Sequence, residues 1–87
     1  MIINELISLF DKKIRENNIE INGFSVQEVD VLKKVYLVEL KLQSINYFVQ
    51  LSKLIRFEGE LKPKEREMIL SVKNGEMLIE IYLDYNW

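Results

Sequence analysis

At 87 residues, with 48% apolar and 30% charged side chains, the chain has the composition of one small globular domain and not of a disordered segment. Its 12 basic and 14 acidic residues leave a net charge of -2, which excludes a general attraction to nucleic acid or anionic membrane. Cysteine and histidine are absent, so disulfides, thiolate metal sites and Ser-His or Cys-His catalytic pairs are excluded as well.

The first element is a helix running from Ile3 to about Ile14. Ile3, Ile7, Phe10 and Ile14 recur at spacings of four, three and four, which predicts a buried stripe. Glu5 near its start and Lys12, Lys13 and Arg15 near its end complement the helix dipole, and Asn17-Asn18 ends it.

Two readings compete after the Asn22-Gly23 turn signal. Ser25 with Glu28 fits a capping box and Phe24 with Val29 fits the hydrophobic staple around it, which favours a short helix from Val26 to about Lys34. Against this, Val26, Val29 and Val31 are β-branched, and Asn22-Gly23 also suits a hairpin joining strand 19–21 to strand 24–26.

Residues 35–52 alternate between apolar and polar positions. With Gln43-Ser44 as a two-residue turn, Leu42 faces Ile45, Leu40 faces Tyr47, Val38 faces Val49 and Tyr36 faces Leu51, which predicts a β-hairpin with one fully apolar face. Gly59 and Pro63 mark residues 58–65 as a loop. A second hairpin follows, because Asn74-Gly75 is the preferred pair for a type I′ turn. Around it Lys73 faces Glu76, Val72 faces Met77, Leu70 faces Ile79, Met68 faces Ile81 and Arg66 faces Leu83. The expected fold class is therefore α+β: an N-terminal helix, with a second short helix, packed on an antiparallel sheet of two hairpins.

Catalytic chemistry is hard to assemble from these residues. Ser8, Ser25, Ser44, Ser52 and Ser71 lack a base and read as helix-surface, cap, turn and strand positions. Glu58 and Glu60 flank Gly59 without the spacing of a calcium loop, and three glycines in all do not make a phosphate-cradling loop. We expect no enzyme activity, no cofactor and no metal. Lys53, Arg56, Lys62, Lys64 and Arg66 cluster in sequence around Phe57 and define a nucleic-acid-binding alternative, but Glu58, Glu60 and Glu65 dilute that charge.

Excess apolarity is the more informative signal. On the predicted outward sheet face, Val35, Leu37, Phe48, Ile69, Leu78 and Tyr82 interrupt polar positions, and Tyr85 and Trp87 continue beyond the last strand. Leu37, Phe48, Ile69, Leu78, Tyr82, Tyr85 and Trp87 are thus the candidate protein-binding residues, since exposed aromatic and aliphatic side chains are enriched at interfaces. Cover from within the chain is the competing account of the same residues.

The expected function is a non-enzymatic protein-binding module that forms a homodimer or occludes a protein partner. Ala and Thr are absent while Ile, Lys and Asn, whose codons are AT-rich, are abundant. That bias suggests a small inhibitor or regulator from a phage or mobile element, with an assembly subunit of a phage particle as the alternative. No signal-peptide pattern and no membrane-spanning apolar run is visible, so a cytoplasmic location is expected.

Overall fold

The computed structural model describes residues 2–30 and 32–87. Helix α1 (Ile2–Glu16) leads into strands β1 (Gly23–Asp30) and β2 (Val35–Leu42), then helix α2 (Ile45–Leu54), a one-turn 3₁₀ segment (Gly59–Leu61), and strands β3 (Glu65–Lys73) and β4 (Glu76–Asp84). The strands form one antiparallel sheet in the order β1-β2-β4-β3, so α+β and two hairpins both hold.

The hairpin around Asn74-Gly75 has the expected register throughout, from Lys73 opposite Glu76 to Arg66 opposite Leu83. Asn74 and Gly75 both have positive φ, 54° and 75°, as a type I′ turn requires. The other hairpin joins β1 to β2 rather than β2 to residues 45–52.

Two elements correct the sequence reading. Residues 23–30 are a strand and not a helix. The β-branched Val26 and Val29 prevail over the capping box, and Ser25 pairs with Glu39 across the ladder instead of capping anything. The strand 19–21 to 24–26 hairpin is not formed either: β1 turns back into β2, where the Asp30 carboxylate accepts the backbone N–H groups of Leu32 and Lys33 at 3.1 Å. The part of that reading that falls on Val31 lies outside the described residues.

Residues 45–54 are helix and not strand. The Ser44 hydroxyl caps the helix by accepting the Asn46 N–H at 3.2 Å, an interaction typically contributing about 1 kcal/mol. Tyr47, Phe48, Leu51, Leu54 and Ile55 then fall at helical spacing on one side, and all five pack into or against the core. Strand β2 is left between β1 and β4, an interior position that suits its Val- and Leu-rich sequence.

The core lies between the sheet and the two helices. Leu6 and Phe10 of α1, Tyr36, Val38, Leu40 and Leu42 of β2, Leu51 of α2, and Ile79 and Leu83 of β4 are buried in it, together with Ile19 and Tyr85. Each such aliphatic or aromatic side chain contributes roughly 1.5–3 kcal/mol. Helix α1 is rotated from the expected stripe: Leu6 is buried and Ile7 is 39% exposed. The spacing Ile3, Leu6, Phe10, Ile14 serves a helix as well as the one through Ile7, and packing selects it. The Phe10 ring stacks near Phe24 at 5.8 Å and tilts against Phe57 at 6.1 Å, tying α1 both to β1 and to the segment after α2.

Candidate protein-binding surface

The side of the sheet turned away from the helices carries Leu37, Ile69, Leu78 and Tyr82, as expected. Its apolar residues do not join into one patch. Leu37 lies beside Tyr82, with Gln27 on the other flank, and is only 7% exposed. In the next row Glu39 sits directly opposite Glu80, with Ile69 beyond it. The Gln27 side-chain amide donates to the Glu39 carboxylate at 3.2 Å. Leu78 lies between Lys41 and Ser71, in a shallow depression also lined by Glu39, Lys73 and Glu76. Two facing carboxylates in mid-sheet favour water over an apolar partner.

Three candidate residues belong elsewhere. Phe48 stands on α2, on the helix-covered side, because residues 45–54 are not a strand. Tyr85 is 5% exposed and belongs to the core. Its ring meets Tyr36 edge-on at 5.8 Å, and its hydroxyl donates to the Leu61 carbonyl at 2.8 Å. Burial, and secondarily the neighbouring Tyr36, push its phenol up to about 12. Trp87 remains 76% exposed although its indole N–H donates to the Lys62 carbonyl at 3.2 Å. The aromatic tail therefore pins the 59–62 turn to the end of β4, with only the Trp87 ring outside.

The basic residues of the nucleic-acid alternative are spread over three parts of the fold. Lys53 is near the end of α2, Arg56, Lys62 and Lys64 lie in the following connection, and Arg66 is in β3. Glu58, Glu60, Glu65 and Glu67 are exposed among them.

The exposed apolar surface is concentrated on β3. All nine residues of this strand are exposed, among them Met68 (56%), Ile69 (42%), Leu70 (53%) and Val72 (70%). Met68, Leu70 and Val72 pair with Ile81, Ile79 and Met77, which places them in the phase of the core face. Neither helix covers them: α1 packs over β1, and α2 over β2. A groove of about 390 Å³ therefore runs between α2 and β3, with Phe48, Leu51 and Ile55 on the helix wall, Met68 and Ile81 on the sheet, and Phe10 and Phe57 at its base. Ile45 and Val49 of α2 are also partly exposed.

Beside the groove the edge of β3 is open. The two-residue turn closes on Lys73 and Glu76, so alternate residues from Lys73 back to Glu67 exchange ladder hydrogen bonds with β4. The same phase holds across the sheet, where the Tyr85 N–H donates to the Lys34 carbonyl at 3.0 Å. Arg66, Met68, Leu70 and Val72 consequently point their backbone N–H and C=O groups away from the sheet. The opposite edge, β1, is interrupted by a bulge between Glu28 and Asp30, a device that discourages strand addition. Strand β3 has no bulge, and no charge or proline from Met68 to Val72.

Met68, Leu70 and Val72 were legible as core-phase residues, but their exposure was not, since alternation records which way a side chain points and not what covers it. Comparison of the chain with protein-family models, with curated proteins and with solved structures finds no match, so the assignment of this surface rests on its geometry.

Proposed function

We propose that this chain is a non-enzymatic protein-binding module whose contact surface is the β3 edge together with the groove between β3 and α2. The observation that carries this reading is a nine-residue edge strand, exposed along its whole length, that carries Met68, Ile69, Leu70 and Val72. Such a strand offers a partner two kinds of contact at once. Its outward N–H and C=O groups extend the ladder, and the adjacent groove accepts alternate apolar side chains of the added strand. Apolar exposure of this concentration marks an interaction site or an aggregation hazard in a small protein.

Where the partner is another protein, a module of this kind acts by occlusion: strand addition blocks the partner's own edge. The AT-rich codon bias supports a phage or mobile-element regulator as its setting. The Leu70→Lys/Val72→Lys variant tests the surface, because both side chains are already more than half exposed and their loss leaves the core intact. The immobilised wild-type chain is expected to retain a protein, either a second copy or another chain, at least tenfold better than the variant, with unchanged circular dichroism. Equal retention by the two would contradict the assignment.

A further inference from the structure

We propose that a second copy of this chain occupies the β3 edge, pairing β3 with β3 in antiparallel fashion about a two-fold axis beside Ile69. The inference rests on reading that flank as a binding surface and adds the identity and register of the occupant.

Charge placement along the strand points to a self-complementary partner. Strand β3 reads Glu65-Arg66-Glu67-Met68-Ile69-Leu70-Ser71-Val72-Lys73, with acids at one end, a base at the other and an apolar centre. Turned antiparallel on itself about Ile69, it places Glu65 opposite the second copy's Lys73, with Glu67 diagonal to that same lysine, and the two-fold repeats the contact at the other end. Ile69 meets its own copy, and Met68 faces the second copy's Leu70. A parallel arrangement would instead align acid with acid.

Backbone geometry selects the same register. The free N–H and C=O groups belong to Arg66, Met68, Leu70 and Val72, as the type I′ turn dictates. Pairing about Ile69 joins Arg66 to Val72 and Met68 to Leu70, so all four residues find ladder partners in both copies. A shift of two residues in either direction leaves only three paired, and one of the shifts also places Pro63 opposite Lys73, with Glu65 only diagonal to it. Exposed ion pairs add little affinity but do discriminate between registers.

The product is closed. The axis is perpendicular to the sheet, so both copies keep their helices on one side and the order becomes β1-β2-β4-β3-β3-β4-β2-β1. Each β3 edge is consumed, and the two outer edges are the bulged β1 strands, which do not propagate a fibre. The two grooves become the walls of one apolar trough floored by Met68, Leu70 and Val72 of both copies.

Sedimentation equilibrium of the intact chain tests this. Wild type is expected at twice the 10.4 kDa chain mass at about 100 µM. Leu70→Lys should be monomeric at that concentration with unchanged circular dichroism. Glu65→Lys gives a second handle that does not depend on the apolar centre. Within one chain residue 65 faces Asp84, so the new lysine suits the monomer, yet it opposes Lys73 across the two-fold at both ends. Dimerisation should weaken about tenfold, from two unfavourable exposed contacts, and Glu65→Lys/Lys73→Glu should recover most of it. A monomeric wild-type protein would overturn the self-pairing. If the Leu70→Lys/Val72→Lys variant still lost another retained protein, the binding surface would stand with a different occupant. A dimer insensitive to both Leu70→Lys and Glu65→Lys overturns the proposal too, because its contact lies elsewhere.

Discussion

Phe10→Ala is expected to destabilise the chain by about 3–5 kcal/mol, the usual cost of emptying a buried phenylalanine site. Phe10 is 2% exposed and sits where α1, β1 and the segment after α2 meet, so its loss opens contacts to both Phe24 and Phe57. Marginal stability of roughly 0.05–0.15 kcal/mol per residue implies about 4–13 kcal/mol for a chain of this size, so the substitution removes a large fraction of it. Thermal melting should shift down by at least about 12 °C. Ile7→Ala, one turn away at a position 39% exposed, should cost less than about 1.5 kcal/mol. Equal effects at the two positions would mean that α1 is rotated toward the Ile7 stripe, contrary to the burial of Leu6.

The second large effect is alkaline. Tyr85 in the folded protein titrates at about 12, against an ordinary value of 10.0, chiefly because it is buried and then because Tyr36 lies beside it. The folded state thus holds its proton more tightly than the unfolded chain does. Below pH 10 both states are protonated and the stabilisation is fully present. Between pH 10 and about 12 the unfolded chain alone ionises, and stability falls with each step in pH. Wild type should lose up to roughly 100-fold in its folding constant across that window relative to Tyr85→Phe, which has no phenol to titrate. The phenylalanine variant should start about 1 kcal/mol lower near pH 8, since it lacks the hydrogen bond to Leu61, and should overtake wild type by pH 12. Tyr36, also raised by burial and then by Glu28, is present in both proteins, so its own burial contributes to both profiles. Parallel profiles in urea denaturation from pH 8 to 12 would contradict the placement of Tyr85 in the core.

The β3–β4 hairpin was readable pair by pair because Asn74-Gly75 sets both turn type and register within four residues, leaving nothing for tertiary structure to decide. The core face of β2 was readable for a related reason: Tyr36, Val38, Leu40 and Leu42 alternate without interruption, and all four are buried. Residues 45–54 show where such reading stops. Ile45, Tyr47, Val49 and Leu51 alternate as a strand does, while Tyr47, Phe48, Leu51, Leu54 and Ile55 recur as a helix does, and a short apolar run satisfies both. The Ser44 cap was the local signal that separates them. Residues 24–29 failed in the opposite sense, since a capping-box pattern was present but the β-branched residues and pairing with β2 prevailed.

The same ambiguities decide where the candidate residues lie. Placing Phe48 on a strand put it on the outward sheet face and enlarged an apolar patch there, which Glu39 and Glu80 in fact divide. Moving the same residue to α2 brings it to the groove beside Met68. Tyr85 looked like an overhang because Pro63 ends the partner strand. The connection folds back instead, and the Leu61 carbonyl receives the phenol.

Residue-resolved amide hydrogen exchange along β3, followed as protein concentration rises from about 1 µM to 500 µM, tests the β3 edge most directly. In a dilute monomer the amides of Arg66, Met68, Leu70 and Val72 face water and exchange fast, while those of Glu67, Ile69, Ser71 and Lys73 are held by β4. The account predicts that the first four gain protection together as concentration rises, and that the free-edge amides Phe24, Val26 and Glu28 of β1 do not. Protection gained along β1 instead, or a doubling of mass with the four β3 amides still exchanging fast, would contradict it.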